Sequence, residues 1–436
     1  MSNYIGIRHE DKYEMEKRAP LTPKHVERLV KQKKLDIVVQ TSGKRIFTDD
    51  EYSKAGAKIS HDLKKCSVIF GVKEMPIDFF EAGKTYVFFS HVIKGQKKNM
   101  PMLKRMMELK CNLIDYERVV DEQGKRIIFF GRYAGMAGMI NSLWALGLRL
   151  KSLGYSSNLL RIRQAHTYHS LKEAREDISA IGQLIAENGI PSQLKPFVVG
   201  FAGYGNVSQG AQEICGLVPV KEISAEKLLK LKSRKKIPEN IIYKVVFHEE
   251  DMYERIDGKP FDLHEYFTHP ELFRSKFEQY VPHLSMLINC IYWDAKFPKL
   301  LTSDYMKKLF SQGQPKLKVV GDISCDVNGS LECTMKSTEI EDPIFVYNPF
   351  TQSIQMGSEG EGLQVMAVDI LPAELPRDSS TGFGDVLVNY VKPIADADFM
   401  ENYEDLDLPR SIKKALVLHR GEFTPDYEYM KEFLND

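Results

Sequence analysis

The sequence predicts an α/β protein of two lobes, each built on a mostly parallel sheet. The chain has 436 residues, more than one compact domain usually holds. Short apolar runs alternate with helical stretches, the pattern of strands joined by crossovers. The series then starts afresh at "PFVVGFAGYGNVSQG" (196–210), where an apolar strand runs into glycines.

"YIGIRH" opens the first series as a strand. "TPKHVERLVKQKK" follows as a helix with Thr22 at its N-cap and Pro23 at its first position. "DIVVQT" is a second strand and "TDDEYSKAGA" a short helix with acids in its first turn. "SVIFGV", "TYVFFS" and "CNLIDY" are further strands, with "KKNMPMLKRMMELK" a helix between the last two. "YAGMAGMINSLWALGLRLKSLG" (133–154) carries small and apolar residues around its whole circumference. That predicts a helix buried on most sides and a candidate connection between the lobes. "SLKEAREDISAIGQLIAENG" (170–189) is amphipathic and stops on a glycine cap. Beyond the glycine turn, residues 225–283 are charged and aromatic without a clean period, and read as an insertion. "SMLINCIYW" and "KLKVVGDIS" resume the buried strands, and "DSSTGFGDVLVNYVKPIADA" (378–397) is a helix that returns to the first lobe with the C-terminal tail. The expected division is 1–135 plus 382–436 for a substrate and catalytic lobe, and 136–381 for a dinucleotide-binding lobe.

Lys plus Arg and Asp plus Glu balance at 60 each, so charge points to neither nucleic acid nor an acidic membrane as partner. The basic run "KLKSRKK" (230–236) reads as a solvated loop. Cys66, Cys111, Cys215, Cys290, Cys325 and Cys333 form no CxxC pair and read as free thiols of a reducing compartment. "HTYH" (166–169) lacks the partners of a metal set, so no metal site is expected. No apolar run approaches the ~18 residues of a membrane span. The N-terminus has neither a signal h-region nor a transit-peptide composition, so the expected location is the cytoplasm.

In "VVGFAGYGNVSQG", Gly203, Gly205 and Gly210 stand where a strand turns into a helix. Glycine is needed at the bend and where backbone approaches a pyrophosphate, and the helix N-terminus offers free N–H groups. Ser208 occupies the usual third glycine position, so the fingerprint is imperfect. Glu222, in "VPVKEIS", is a candidate for the ribose hydroxyls and would favour NAD, whereas Lys221 beside it favours a 2′-phosphate. NAD(H) and NADP(H) both stay open on these residues.

Lys73 and His91 follow two of the apolar strands, in "SVIFGVKEMP" and "TYVFFSH", and Pro76 forbids the first from continuing. Open α/β sheets bind ligands just outside such ends, where a desolvated lysine becomes a usable base. Two groups of different intrinsic pKa suit a proton-shuttling carbonyl–amine reaction, with Glu74 and Glu117 placed to tune them. The plainer alternative is a surface Lys73–Glu74 ion pair and a hydrogen-bonded loop histidine. Arg18 is a candidate bidentate clamp for a carboxylate, or else a solvated arginine at a helix start.

"EKRAPLTPKHV", "GVKEMPID", "FFSHVIKGQ", "FGRYAGMAGMIN", "GYGNVSQGAQEI", "INCIYW" and "VDILPAELPRDSSTGFGD" together resemble the lysine–ketoglutarate reductase family, the saccharopine-forming half of aminoadipic semialdehyde synthase. More distantly the chain is similar to fungal saccharopine dehydrogenases and the alanine dehydrogenase/transhydrogenase group. The resemblance implies two Rossmann-like lobes with an interlobe active-site cleft. It implies condensation of L-lysine with 2-oxoglutarate and reduction by NADPH to saccharopine, a step of lysine degradation. By the same resemblance Lys73 and His91 match the acid–base pair, and Glu74 and Glu117 the carboxylates near it. Arg18, Gln96 and Phe130 match the substrate pocket, and Arg126, Gly203, Gly205, Asn206, Val207, Asn289 and Asp369 the cofactor side. Animal and plant relatives are usually fused to a saccharopine-oxidising half, and the resemblance keeps a mitochondrial location open beside the cytoplasm. No second glycine fingerprint occurs in this chain, so oxidation of the product is expected of another protein. The alternatives are an alanine-dehydrogenase-like enzyme and a catalytically silent nucleotide-binding protein. Oligomeric state is left open, a homo-oligomer included.

Overall fold

The computed structural model describes residues 4–231 and 237–434. The basic run at 230–236 therefore falls, except for its first two residues, outside the described part. Two compact units are present, Met1–Phe130 with Pro376–Asp436, and Gly131–Leu375.

The first unit begins with six strands: β1 (Tyr4–Ile7), β2 (Ile37–Gln40), β3 (Lys58–Ser60), β4 (Cys66–Phe70), β5 (Thr85–Phe88) and β6 (Asn112–Asp115). β3 is the one the sequence does not announce, because its three residues lie at the sheet edge, exposed or partly so. Every pairing among the six is parallel, so all their carboxyl ends face one edge. The Pro23–Lys33 helix starts as expected on Thr22 and Pro23. The Thr22 N–H donates to His25 Nδ1 at 3.1 Å, which leaves Nε2 to donate to Asp385 at 3.0 Å. Asp385 lies on the Pro376–Asp396 helix, so this bond ties the returning segment to the start of the unit.

The second unit opens on the Gly131–Ser152 helix, buried around its circumference from Gly135 to Leu150. Its strands are β7 (Phe197–Ala202), β8 (Val220–Glu222), β9 (Ile242–Phe247), β10 (Tyr253–Arg255), β11 (Phe273–Ser275), β12 (Met286–Asn289), β13 (Val319–Asp322), β14 (Ile344–Asn348), β15 (Ser353–Met356) and β16 (Leu363–Met366). Eight form one sheet in the order β15-β14-β16-β13-β12-β7-β9-β8, parallel from β16 to β8. β10 and β11 make a separate antiparallel pair. The insertion expected at 225–283 is thus corrected. Its residues 242–247 form β9, which pairs with β7 along six residues. Lys244 interrupts the apolar run of β9, and its ammonium escapes burial by reaching Glu222 at 2.7 Å. That charge is what hid the strand.

The chain then returns to the first unit, where β17 (Leu416–His419) adds antiparallel to β6 and β18 (Glu422–Phe423) antiparallel to β17. The first sheet reads β18-β17-β6-β5-β4-β1-β2-β3.

Two glycines set the packing of the second unit. A Cβ on Gly135 would overlap the Val207 carbonyl, and one on Gly210 would overlap the Arg132 carbonyl. The Gly131–Ser152 and Asn206–Cys215 helices therefore touch backbone to backbone. Gly135→Ala is expected to cost at least about 2 kcal/mol of unfolding free energy, because neither backbone can retreat from a packed core. Urea unfolding of the variant against the parent measures it.

Candidate active site

In the first unit the carboxyl ends of β1, β4, β5 and β6 lie side by side, and each is followed within three residues by an ionisable one, Arg8, Lys73, His91 and Glu117. β4 stops at Phe70, earlier than the Met75–Pro76 step suggested. The physical stop is Glu10, just beyond β1. Its carboxylate accepts the N–H groups of Val72 at 2.7 Å and Lys73 at 2.9 Å, taking the place of a neighbouring strand. Burial, with Glu16 beside it, pushes the Glu10 carboxyl up to about 7.

Lys73 is half-buried, with its ammonium 5.8 Å from the centre of the Tyr13 ring. Among the described residues no carboxylate comes within ion-pair distance of it, whereas Arg8, Lys12 and Arg18 each have one. Burial lowers its proton affinity, and the Arg18 charge lowers it further. His91 sits after β5 with φ +51°, a left-handed backbone that is costly for a residue with a Cβ. Asn99 holds it there by donating to its carbonyl at 3.0 Å. Glu74 joins the two halves of the site: its Oε1 meets His91 Nδ1 at 2.9 Å and its Oε2 meets Lys12 at 2.6 Å. Burial works to raise the Glu74 carboxyl, but the hydrogen bonds from His91 and Lys12 outweigh it and hold the group near 2.

Arg18 differs from the expected free clamp. Its Nε and Nη2 already grip Glu16, at 2.7 and 2.5 Å, with both residues buried. Only the outer edge of the guanidinium is left for a second carboxylate. The arginine lies 4.3 Å over the Phe130 ring, and Phe130 stacks on Phe383 at 4.5 Å. Glu117 follows β6 as expected, yet it pairs with Arg126 at 3.1 Å rather than with Lys73 or His91. Arg126 belongs to the first unit and is exposed. Gln96 is also exposed, its Oε1 accepting from Asn99 at 3.4 Å. Buried Asp115, at the end of β6, receives Ser90 and the Glu117 N–H and is pushed up to about 6 by burial.

Glu10, Lys12, Tyr13, Glu16 and Asp115 are absent from the residues the sequence singled out. For the first four the available signal was "RHEDKYEMEKR" (8–18), nine charged or imidazole groups in eleven positions directly after a buried strand.

In the second unit, β7 ends in Gly203 with φ +90°, a conformation glycine alone adopts at no cost. Gly205 caps the Asn206–Cys215 helix, and a Cβ there would meet nothing within 4 Å. Free space in front of unsatisfied first-turn N–H groups, including those of Asn206 and Val207, fits a dinucleotide pyrophosphate. Gly210, expected at the cofactor, is instead consumed by the helix crossing described above. Glu222 also changes role: β8 is the edge strand, β9 lies between it and β7, and the carboxylate pairs with Lys244. His248, stacked on Tyr204 at 4.3 Å, follows the strand that adjoins β7. Asn289 ends β12, donating to Asp322 and Ser330 at 2.9 Å each while its own Oδ1 is buried without a partner. Asp369 is exposed beyond β16, on the same edge. Among the described residues no helix is long and apolar enough to cross a membrane.

Two family models match, "Alanine dehydrogenase/PNT, N-terminal domain" over residues 6–137 and "Alanine dehydrogenase/PNT, C-terminal domain" over 263–426. The chain is 38% identical over 442 aligned positions to alpha-aminoadipic semialdehyde synthase of Arabidopsis thaliana, covering 98% of this chain and 41% of that protein. It therefore spans less than half the length of that relative. It is 26% identical to saccharopine dehydrogenase (NAD(+), L-lysine-forming) of Emericella nidulans, covering 91% and 93% of the two chains. A solved L-alanine dehydrogenase superposes with a TM-score of 0.58 at 17% identity, covering 99% of each chain, which establishes the shared fold.

Two outcomes follow from the geometry. Gly205→Ala should leave unfolding stability unchanged yet weaken dinucleotide binding by about tenfold or more, since its Cβ enters only the ligand's space; urea unfolding reads the first and calorimetric titration the second. The Glu74 carboxyl is held near 2, well below its ordinary value of 4.5, so it stabilises the fold above about pH 4.5 and that stability drains away as pH falls toward 2. Glu74→Gln should remove up to about 3 kcal/mol at pH 6 and make the loss of stability between pH 5 and 3 shallower, as measured by urea unfolding across pH.

Proposed function

The chain belongs to the alanine dehydrogenase/PNT family, and on that premise we propose that it condenses L-lysine with 2-oxoglutarate and reduces the product to saccharopine, using NADPH. The observation that supports this most is the likeness to the Arabidopsis thaliana synthase over 98% of this chain. The Lys73–Glu74–His91 constellation agrees with it chemically.

The reaction needs three proton movements. The ε-ammonium of lysine must be deprotonated before its nitrogen can attack the keto carbon. The carbinolamine must then be protonated on oxygen so that water leaves, and the attacking nitrogen must shed its extra proton. Lys73 lacks a carboxylate partner, so it gives up its own proton readily and can take one from substrate. His91, oriented through Nδ1 by Glu74, presents Nε2 for the complementary transfers. The outer edge of Arg18, stiffened by Glu16 and Phe130, orients a substrate carboxylate so that the carbon to be reduced is held still. The nicotinamide dinucleotide supplies the hydride. Gly203, Gly205 and the first turn of the Asn206–Cys215 helix would hold its pyrophosphate.

NADPH is proposed over NADH from the resemblance of the sequence to the lysine–ketoglutarate reductase family; His248 and Glu249 both follow the strand beside β7, and the residues there favour neither dinucleotide.

Dinucleotide oxidation with lysine plus 2-oxoglutarate, against pyruvate plus ammonia, tests the reading, with NADPH and NADH run in parallel. Turnover is expected only with the lysine pair, faster with NADPH, and with saccharopine detected by mass spectrometry. Turnover with pyruvate and ammonia, or with neither pair, would overturn it, and preference for NADH would overturn the choice of cofactor. Lys73→Met and His91→Gln should each lower kcat by about 100-fold or more while dinucleotide affinity holds.

A further inference from the structure

The second unit has a cavity on the edge of its sheet opposite to Gly203. Arg149, Lys318, Leu153, Leu317, Phe310 and Phe350 are among its walls, and its volume is about 370 Å³, within the range of small-molecule sites. Lys318 precedes β13 and Gly362 precedes β16, so the cavity opens at the amino-terminal ends of the parallel strands. The dinucleotide fingerprint lies at their carboxyl ends.

The cavity wall contains two buried cations. Arg149 and Lys318 are 3% and 8% exposed, and among the described residues neither has a carboxylate within ion-pair distance. The arginine donates Nη1 to the carbonyls of Ser358 and Gly360, at 2.8 and 2.9 Å, and Nη2 to that of Gly362 at 2.7 Å. Its Nε is buried with no partner. Among the described residues the Lys318 ammonium has a single acceptor, the Pro315 carbonyl at 2.7 Å. Stapling the 358–362 loop accounts for the two Nη groups of Arg149. It accounts for neither the idle Nε nor a second buried cation beside the first. Burial lowers the proton affinity of both, and for Lys318 the Arg149 charge lowers it further. Uncompensated buried charge is expensive, and an anion entering the cavity would relieve it. The carboxylates nearby, Glu359 and Glu361, are on an exposed stretch and screened by solvent.

We propose that this cavity is a binding site for a small organic carboxylate, separate from the active site, with the anion beside Lys318 and Arg149 and an apolar body against Phe310, Leu153 and Leu317. Apolar walls with a pair of cations at one place select an amphiphilic monoanion over a bare inorganic ion.

Calorimetric titration of the full chain with naphthalene-1-carboxylate tests the site. The acid should bind with a Kd of about 1 mM or tighter, at least about tenfold more tightly than the neutral naphthalene-1-carboxamide. Lys318→Met should weaken the acid about tenfold, Glu361→Gln should tighten it a few-fold, and saturating NADPH should leave it unchanged. Absence of binding, equal affinity for acid and amide, insensitivity to Lys318→Met, or displacement by NADPH would each overturn the proposal. The acid-to-amide ratio and the Glu361→Gln variant decide the matter even should Lys318→Met fold poorly.

Discussion

A parallel ladder obliges every strand to end on the same edge, and both candidate sites rest on that constraint. In the first unit β1, β4, β5 and β6 are neighbours, so four loops from distant parts of the chain must emerge within a few strand spacings of one another. Nothing in the loops themselves has to bring Lys73 and His91 close. The sheet does so, and the loops need only aim the side chains. In the second unit the same rule sets Gly203, Asn289 and Asp369 along one rim.

The rim of the first unit is crowded with charge, and it is stable because the neutralising partners are close at hand. Residues 8–18 supply most of them. Glu16 neutralises Arg18, Lys12 neutralises Glu74, and Glu10 replaces a missing strand for two N–H groups. Each group is thereby fixed in position. Lys73 is left over. Among the described residues it has no carboxylate within ion-pair distance, and burial lowers its proton affinity, which sets it apart from the paired ions around it.

Much of this arrangement was legible in the sequence and some was not, for reasons that can be named. Strand ends were legible because apolar runs stop abruptly at Lys73, His91 and Glu117, and the glycine turn because strand, bend and helix are contiguous. Sheet order was not, since chain order and spatial order diverge: β8 precedes β9 in the chain but lies outside it, which moved Glu222 away from the fingerprint. Gly210 misled in another way. A glycine near a fingerprint serves ligand or packing equally well, and only the Arg132 carbonyl against it tells the two apart. The roles of Glu10 and Glu16 needed tertiary distance, because a charged loop looks the same whether water or backbone satisfies it.

The left-handed backbone of His91 bears on how this protein can change. An imidazole at φ +51° is held against its own preference, while asparagine or glycine would relax into the same place. Either replacement would also forfeit the hydrogen bond to Glu74, so the backbone cost and the ion pair pull in opposite directions at this position. On the role proposed for His91, a sturdier variant must therefore repair the backbone cost at position 91 without giving up the imidazole, and an activity screen is what would keep it there.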